Sequence, residues 1–575
     1  MGRSVLPVAL AALLTLPAAA ADWPQWRGPD RTNLSAETGL LSAWPAGGPS
    51  LAWKATAIGD GVVPVAVAGG RVYLTGYRDG SEYLVALAEA DGKKVWEVRL
   101  GPTPKELVNM RWLNQRTPLV DGDRVYAVTV LGDWVCVRAS DGLDVWRRNA
   151  AADFGGKAHF FGFCDYPLLD GDRLIVTPAG KTAMAALDKR TGKTVWTCPL
   201  PVEEASAHAA VAVAEVGGVR QYINHLSGSM VGVAAADGKL LWQYAGMKPR
   251  IAVTYSPIVR DDTVFYVSGY GAGHVLLKLA KTDAGFSATE VYREPVRDYA
   301  SWLGSLTEFG GHIYASTAGG FRCIERPTGR TVWEEKTGRV TYTVADNRVY
   351  LFSLTGTLTL AGVDPSGFRK VSEFRPFDRL GSQYGVAFPV VANGRLYVRD
   401  LGTLHAYDIR DPSRPAKVPD AVYVPSPPEV VAKMLDLARV TPADVVYDLG
   451  SGDGRVVIAA AERGCRAVGV EIDPSLVADA WRAAVAAGVG GRVRFDCGDL
   501  LAADLSAADV VTAYLPPDLI GRLVPKLQRL KPGSRVVTHE AAIPGFRPDA
   551  TAAVTSAEDE VKRTVYLYTV PLRAK

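Results

Sequence analysis

The chain has 575 residues, more than one ordinary hydrophobic core accommodates, so two or more domains are expected. Its composition, 48% hydrophobic and 22% charged, is that of a globular protein, and its 58 glycines favour a turn-rich all-β region. The net charge is only +3, and no long run of Lys or Arg occurs. This balance gives no electrostatic argument for a nucleic-acid partner, and none is expected.

Residues 1–21 are predicted to be a signal peptide. Arg3 supplies a positive charge, residues 5–16 are apolar, and alanines at 18–21 provide a small-residue cleavage site before Asp22. The apolar run is about half of the roughly 20 residues that a membrane span needs, and none follows later. The sequence therefore predicts a periplasmic or otherwise extracytoplasmic protein with no transmembrane span in the mature chain.

The cysteines do not have the spacing of a metal or redox site. None forms a CxxC pair, and none lies beside a His at metal-ligand spacing. We interpret them as small buried hydrophobic residues and expect no metal, while disulfides in the exported half stay open. The six are Cys136, Cys164, Cys198, Cys323, Cys465 and Cys497.

A repeated pattern fills residues 22–410, which we predict to be one propeller domain. Its first element is a turn, then Arg or a small residue, then an aromatic-bearing strand. We count eight copies, some weaker or shifted, at Gly70-Arg71-Val72-Tyr73, Asp123-Arg124-Val125-Tyr126, Asp172-Arg173-Leu174-Ile175, Val219-Arg220-Gln221-Tyr222, Thr263-Val264-Phe265-Tyr266, His312-Ile313-Tyr314, Asn347-Arg348-Val349-Tyr350 and Gly394-Arg395-Leu396-Tyr397.

A second repeated element is Gly, then three further residues, then Trp, as at Gly142 and Trp146. Gly provides the positive φ of a tight turn, and the Trp is expected to pack between neighbouring sheets. A period of about 45–50 residues with several short strands is typical of a β-propeller. The last copy lacks a Trp strand and the strand at Trp53 has no blade before it, so pairing them predicts eight blades, with seven as the alternative.

The run Asp22-Trp23-Pro24-Gln25-Trp26-Arg27-Gly28-Pro29, followed by Asp-Gly-Lys-x-x-Trp repeats, resembles the PQQ-like propeller proteins. That family includes quinoprotein alcohol dehydrogenases and an outer-membrane assembly factor. The resemblance implies the fold, but the adjacent cysteines of the dehydrogenases are missing, and their calcium-binding acids and catalytic Asp match no segment here. No PQQ and no quinoprotein dehydrogenase activity are therefore expected, and the propeller is interpreted as a binding or scaffold module.

A Pro-rich linker is predicted at 411–422, and a second domain at 423–575. Short β-branched runs alternate there with Ala- and Leu-rich stretches, which favours a parallel sheet in an α/β Rossmann-like domain. In chain order, the pattern predicts a helix at 430–438, a strand at 444–449, a helix at 455–463, a strand at 467–472, a helix at 476–487, a strand starting at 493–495, a strand at 509–514, a helix at 519–530, and strands at 535–538 and 564–569.

The most informative motif is Asp448-Leu449-Gly450-Ser451-Gly452-Asp453-Gly454, between the first strand and the next helix. Glycines there let a ligand approach the backbone. Glu471 ends the second strand, where an acid accepts hydrogen bonds from ribose hydroxyls, and Asp499 follows the third. An NAD-type fingerprint needs G-x-G-x-x-G, whereas these glycines lie at 450, 452 and 454. An acid beside the turn suits an ammonium group, so the cofactor predicted is S-adenosylmethionine (SAM).

These motifs, together with Tyr423-Val424-Pro425-Ser426-Pro427, resemble class I SAM-dependent methyltransferases. They are similar to a bacterial group and to the mitochondrial lysine methyltransferases that modify ATP synthase and the adenine nucleotide translocase. The resemblance implies that Asp499 contacts the adenine amino group and that the acceptor is a protein lysine. The cofactor-binding residues predicted are Tyr423, Asp448, Gly450, Gly452, Gly454, Glu471, Asp499 and Tyr514.

The acceptor slot is expected near Ala513-Tyr514-Leu515-Pro516-Pro517. Amino-methylating DNA enzymes carry an Asp- or Asn-Pro-Pro-Tyr motif there, and its absence argues against a nucleic-acid amine. The catalytic residue stays unknown, with Tyr514 as a weak candidate that packing explains equally well. His539 and Glu540 end the fifth strand. Either residue could act as a base in the reaction, or the two could simply pair with each other at the end of the strand, which is the preferred interpretation.

We therefore predict a SAM-dependent methyltransferase that N-methylates a protein lysine, with the propeller binding a protein partner. The alternative is an extracytoplasmic scaffold protein with a non-catalytic methyltransferase-like domain. The signal peptide conflicts with a cofactor that is made in the cytoplasm. The acceptor, the partner of the propeller and the oligomeric state are not determined by the sequence.

Overall fold

The computed structural model describes residues 22–104, 116–248, 254–269, 271–283, 285–295, 299, 304–309, 311–382, 386–413, 423–490, 492–557 and 559–575. The predicted signal peptide and most of the predicted linker lie outside these residues, as does the side chain of Cys497. The other five cysteines are buried free thiols. Within the described residues, no helix combines the length and the apolar character that crossing a membrane requires.

Short strands and one short helix make up the first part of the described chain. The strands β1 (Leu34–Ser35) and β2 (Ser50–Thr56) come first. They are followed by β3 (Ala66–Ala68), β4 (Arg71–Arg78), β5 (Ser81–Ala88), β6 (Lys94–Pro102), β7 (Leu119–Asp121), β8 (Arg124–Val128), β9 (Asp133–Arg138), β10 (Asp144–Asn149), α1 (Ala150–Phe154), β11 (Leu168–Asp170), β12 (Arg173–Val176), β13 (Gly180–Asp188), β14 (Thr194–Glu204), β15 (Ala212–Val216) and β16 (Val219–His225).

The remaining strands of this part continue the same order. They are β17 (Met230–Ala234), β18 (Leu240–Tyr244), β19 (Ile258–Arg260), β20 (Thr263–Ser268), β21 (Gly273–Thr282), β22 (Gly285–Glu294), β23 (Leu306–Phe309), β24 (His312–Ser316), β25 (Phe321–Glu325), β26 (Thr331–Glu335), β27 (Val340–Ala345), β28 (Arg348–Ser353), β29 (Leu358–Asp364), β30 (Gly367–Phe374), β31 (Val390–Ala392), β32 (Arg395–Asp400) and β33 (Thr403–Asp408).

From β3 onward, each consecutive group of four strands forms one antiparallel sheet, and β1 adds a short parallel edge to the sheet of β27–β30. The eighth sheet has the order β2-β33-β32-β31, in which the early strand β2 supplies the outermost position. Ser50 pairs with Asp408 in this sheet. The prediction of eight blades closed by the Trp53 strand is confirmed, and the alternative of seven is wrong.

The Gly and Trp of the repeat interlock neighbouring blades. A Cβ on Gly142 would lie 2.8 Å from the ring of Trp96, which comes from the preceding blade. The indole Nε1 of Trp96 also donates to the Ala139 carbonyl at 2.9 Å. A Cβ on Gly192 would likewise lie 2.7 Å from the ring of Trp146 in the preceding blade. The predicted role of the Trp between sheets is therefore confirmed, and the glycine provides the space for it.

The segment from Trp23 to Ser35 contacts the first strands of several blades. Trp23 and Val67 exchange two backbone hydrogen bonds, of 2.7 and 2.8 Å. Farther along, Asn33 donates to the Tyr342 carbonyl at 2.6 Å and Ser35 to the Val391 carbonyl at 2.9 Å. Because these partners belong to β3, β27 and β31, the segment joins the inner strands of the blades on either side of the ring closure.

The second part of the chain alternates helices and strands, as the sequence predicted. Its elements are α2 (Pro428–Leu437), β34 (Val445–Leu449), α3 (Arg455–Glu462), β35 (Arg466–Glu471), α4 (Pro474–Ala486), β36 (Val493–Cys497), β37 (Val510–Ala513), α5 (Pro517–Leu527), β38 (Arg535–His539), β39 (Ala550–Thr555) and β40 (Lys562–Thr569). The strand β39 was not predicted, because its Ala- and Thr-rich run carries little apolar signal.

These strands form one seven-stranded sheet with the order β36-β35-β34-β37-β38-β40-β39. The first five strands are parallel and β40 is antiparallel to both neighbours. Buried side chains of α2, α3 and α4 pack on one face, and those of α5 pack on the other. The chain order reverses at β34, so a crevice opens at the carboxyl ends of β34 and β37, where open α/β sheets bind ligands.

Candidate cofactor and acceptor site

A cavity of about 430 Å³ lies at this crevice, within the range of small-molecule sites. Six of the eight predicted site residues line it. Gly452 and Gly454 do not line it, although they belong to the loop that forms its floor. The six lining residues are Tyr423, Asp448, Gly450, Glu471, Asp499 and Tyr514.

The glycine loop is shaped by close approaches that a side chain would block. Gly452 has a φ of +53°, and a Cβ on it would lie 2.1 Å from the ring of Tyr423. Gly454 has a φ of +80°, and its Cβ would lie 2.7 Å from Ala480 and from Phe495. The loop thus needs glycine for its backbone conformation and for the packing on both sides of it.

Asp448 is buried at the end of β34, with 4% of its surface exposed. Its carboxylate accepts a hydrogen bond of 2.6 Å from the Thr512 hydroxyl on the adjacent strand β37. Burial, together with the negative charges of Glu471 and Asp453, raises the pKa of Asp448 to about 7. Among the described residues, no cation contacts this carboxyl group, so the charge of its ionised form is not compensated by a side chain.

Glu471 and Asp499 follow at the ends of the next two strands. One oxygen of Glu471 accepts from the backbone N–H of Gly452 at 2.8 Å, which ties the glycine loop to β35. The other accepts from the N–H groups of Ile472 and Asp473, at 2.8 and 2.9 Å. Asp499 accepts from the Leu501 N–H at 2.9 Å. Three carboxylates from three adjacent parallel strands therefore face one cavity.

Residues 423–427, which we call the strap, close one side of the cavity. The Tyr423 ring rests on Gly452, and burial together with a hydrogen bond to Asp453 raises the pKa of Tyr423. Arg455 donates to the Ser426 carbonyl at 2.7 Å and pairs with Asp453 at 2.6 Å. Arg455 is the one cation among the described lining residues, and this pairing leaves the cavity with excess negative charge.

Tyr514 lines the other side of the cavity, and His539 packs behind it without lining the cavity itself. Their ring centroids are 4.0 Å apart, and His539 Nδ1 shares a hydrogen bond of 3.0 Å with the Ser426 hydroxyl. His539 is fully buried, and burial lowers its pKa to about 4, so the imidazole is neutral. Among the described residues His539 Nε2 has no hydrogen-bond partner. The Glu540 carboxylate lies 3.9 Å from it.

Sequence reasoning missed three residues of this arrangement. Ser426 stood inside the quoted Tyr-Val-Pro-Ser-Pro run, but nothing in that run showed its contact with a residue 113 positions away. Thr512 has no sequence signal beyond a polar side chain near the end of an apolar strand. Arg455 gave a weak signal, because it follows Asp453 and so can pair with it locally.

Comparison with known proteins identifies the second domain. Residues 448–550 match the family described as the ANTKMT methyltransferase domain. A protein-lysine N-methyltransferase of Saccharolobus islandicus (strain REY15A) is 42% identical over 156 residues, which are 27% of this chain and 96% of the relative. The chain belongs to the protein-lysine N-methyltransferase family. Its C-terminal part is a SAM-dependent methyltransferase domain, which confirms the enzyme class predicted.

Other relatives share the methyltransferase domain. An adenine nucleotide translocase lysine N-methyltransferase of Mus musculus is 38% identical over 141 residues, and the match spans 24% of this chain and 60% of the relative. The chain therefore covers less than two thirds of the length of that relative. A solved RNA methyltransferase from Salinibacter ruber, in complex with S-adenosyl-L-homocysteine, is 48% identical, with 26% of this chain and 94% of that chain covered and a TM-score of 0.24.

The propeller matches a separate family. Residues 80–335 match the family described as outer membrane protein assembly factor BamB. The two matches do not overlap, so this chain joins a methyltransferase domain to a propeller of the PQQ-like type, as the sequence predicted.

Proposed function

We propose that the methyltransferase domain N-methylates lysine side chains of a protein substrate, and that the propeller binds a protein partner. The observation that carries the cofactor part is the set of three carboxylates, Asp448, Glu471 and Asp499, around one cavity beside a glycine loop. The acceptor part rests on relatives that are named as lysine methyltransferases.

The electrostatics of the cavity fit a cationic cofactor. Asp448 is buried without a cationic partner among the described residues, and Asp453 and Glu471 add negative charge nearby. A bound ammonium or sulfonium compensates this charge, whereas a phosphate is repelled by it. The Ser451 hydroxyl is buried beside the cavity with no hydrogen-bond partner among the described residues, so it has free capacity for a polar ligand.

Each acid has a distinct proposed role. Asp448 would hold the ammonium group, Glu471 the ribose hydroxyls and Asp499 the adenine amino group, while the glycine loop lets the ligand lie against the backbone. When bound, SAM supplies a methyl group on a sulfonium, and the electrons of the C–S bond return to sulfur. The residues named here bind and orient the reactants, which is the main task of the protein in such a displacement.

The acceptor end of the cavity suits a neutral amine. Leu515 and Leu519 line it with Tyr514, and the nearby imidazole of His539 is uncharged. A lysine must arrive with its nitrogen lone pair free, and an apolar surround lowers the pKa of an ammonium group. The proton would go to water before transfer, because Tyr514, Leu515 and Leu519, which line this end, carry no basic group.

We also infer that the chain works outside the cytoplasm, from the predicted signal peptide at residues 1–21. The supply of SAM conflicts with that compartment, so the location is a separate test. Fractionation of cells that produce the tagged full-length chain measures it. Recovery of the uncleaved chain in the cytoplasm alone would refute the extracytoplasmic location and remove the conflict.

The proposed activity is tested with the full chain and isotopically labelled SAM. We expect transfer of label to a denatured lysine-rich protein and no transfer to the same protein after its lysines are acetylated. Label on the acetylated protein would refute a lysine acceptor. Total RNA is the second arm, and we expect no label there, since acidic and basic side chains nearly balance between residue 423 and the C-terminus.

A further inference from the structure

Ser426, His539 and Tyr514 form a three-part contact across the mouth of the cavity. Ser426 belongs to the strap, which approaches from one side, and Tyr514 follows β37 on the other side. His539, at the end of β38, contacts both, through the 3.0 Å hydrogen bond to Ser426 and the 4.0 Å ring contact with Tyr514.

His539 does not line the cavity, whereas Ser426 and Tyr514 do. Its imidazole is fully buried, so it has no direct path to a bound acceptor. Whatever it contributes to the reaction must pass through the two residues it holds.

The surroundings of His539 keep this contact rigid. Glu540 has a φ of +61° and its N–H donates to the Thr564 carbonyl at 2.8 Å, which fixes the turn after β38. Ala541 donates to the His539 carbonyl at 2.7 Å, and Thr538 donates through its hydroxyl to the Ala541 carbonyl at 2.6 Å. The backbone of His539 is therefore held on both sides of the residue.

The strap is held from the opposite direction. Arg455 donates to the Ser426 carbonyl at 2.7 Å, so the same residue is bound through its backbone by one group and through its side chain by another. The strap and the end of β38 are thus joined by a hydrogen bond through His539.

We propose that His539 is a positioning residue that fixes Ser426 and Tyr514 as the two walls of the acceptor slot, so that a lysine amine enters in line with the methyl group. The inference rests on the proposed function. His539 is neutral and buried, so it adds no positive charge to the slot. A positive charge there would repel the lysine ammonium group before that group loses its proton.

The test separates the two contacts of His539. His539→Ala removes both, His539→Phe keeps a ring against Tyr514, and His539→Asn keeps a polar group for Ser426. We expect His539→Ala to lower kcat/KM for the lysine protein by about 100-fold and the other two variants by about tenfold each, because small misplacements of reactants have effects of that size. Affinity for SAM, measured by calorimetry, should stay within about threefold of wild type.

Ser426→Ala provides a second variant that leaves the buried ring in place. We expect the kcat/KM of Ser426→Ala to match that of His539→Phe, because both substitutions remove the hydrogen bond between Ser426 and His539. For the same reason, the kcat/KM of the double variant Ser426→Ala/His539→Phe should be at most about twofold lower than that of either single variant. The matched control is Ser534→Ala, which removes another buried serine hydrogen bond, of 3.1 Å to the Ala508 carbonyl, at the far end of the sheet. This control should stay within about twofold of wild type.

Equal kcat/KM for wild type and His539→Ala would overturn the proposal. So would an equal loss of SAM affinity and of acceptor kcat/KM in every variant, because that pattern means general damage to the domain. A wild-type chain that binds SAM but labels no lysine would instead refute the proposed function, and the acceptor role of His539 with it. An active wild type with unaffected variants isolates the failure to His539.

Discussion

In both parts of the molecule a glycine makes room for an aromatic ring, but what surrounds that ring differs. In the propeller, Gly142 leaves room for Trp96 of the preceding blade, so the chain fills the space that it opens. In the methyltransferase domain, Gly452 leaves room for Tyr423, and beside it the Ser451 hydroxyl stays buried without a partner among the described residues. A glycine that recurs with a matching Trp therefore indicates packing, whereas clustered glycines beside unpaired polar groups indicate a ligand site.

The largest effect expected concerns the interlock of the blades. Trp146→Ala should lower the free energy of unfolding of the propeller by about 3–5 kcal/mol, because it empties a buried indole site. SAM affinity should stay unchanged. Denaturant titration of the full chain, followed by calorimetry with SAM, measures both. The control is Val145→Ala, since the Val145 side chain is 43% exposed on the same strand. A large loss of SAM affinity in Trp146→Ala would show that the two parts are coupled.

The next effect concerns Asp448. Asp448→Asn keeps the shape of the side chain but removes the charge that is proposed to hold the ammonium group. We expect SAM affinity to fall by about 100-fold, since breaking a buried charge pair costs about 2–5 kcal/mol. Calorimetric titration of the full chain with SAM measures it. Asp518→Asn, on the exposed first turn of α5, is the control and should bind as wild type does. Unchanged affinity in Asp448→Asn would refute the proposed role of this carboxylate.

The same carboxyl should make SAM binding depend on pH. The pKa of Asp448 is about 7 in the ligand-free protein because burial and nearby acids disfavour its charge. The ionised form is the one that binds an ammonium group. The affinity for SAM should therefore level off at pH values above the pKa and fall about tenfold per pH unit at pH values well below it. The pKa of His539, about 4, lies outside this window. Calorimetry between pH 5.5 and 7.5 measures the slope, which Asp448→Asn should abolish.

A smaller effect separates backbone strain from site shape. Gly452→Ala places a Cβ 2.1 Å from the Tyr423 ring, whereas Gly488→Ala has a similar positive φ and open space around it. Backbone strain should lower the free energy of unfolding by about 1 kcal/mol in both variants, and the overlap with the Tyr423 ring should lower it further in Gly452→Ala. Only Gly452→Ala should weaken SAM binding, by roughly tenfold, because it displaces Tyr423 from the cavity. Thermal unfolding and calorimetry of both variants test this, and equal SAM affinities would contradict it.

Much of the architecture could be predicted because it depends on short sequence patterns that repeat along the chain. The Trp53 strand and the incomplete last copy predicted the closure by β2 and β33, and the strand ends at Asp448, Glu471 and Asp499 predicted which acids face one crevice. The strand β39 was missed because its run of Ala and Thr shows little apolar alternation, and alanine is depleted in strands. The contact of Ser426 with His539 was missed because it depends on tertiary packing, which no spacing in the sequence records.

The closure of the ring also determines when the propeller can complete its folding during synthesis. The strand β2 pairs with β33, so an early part of the chain waits for its partner until Asp408 has been made. At ordinary rates of synthesis this wait lasts roughly tens of seconds. During that time β2 carries an unpaired edge, which is open to chaperones and to mispairing. The strands of the methyltransferase domain pair over much shorter separations, such as Val446 with Val510, so none of them waits as long for its partner.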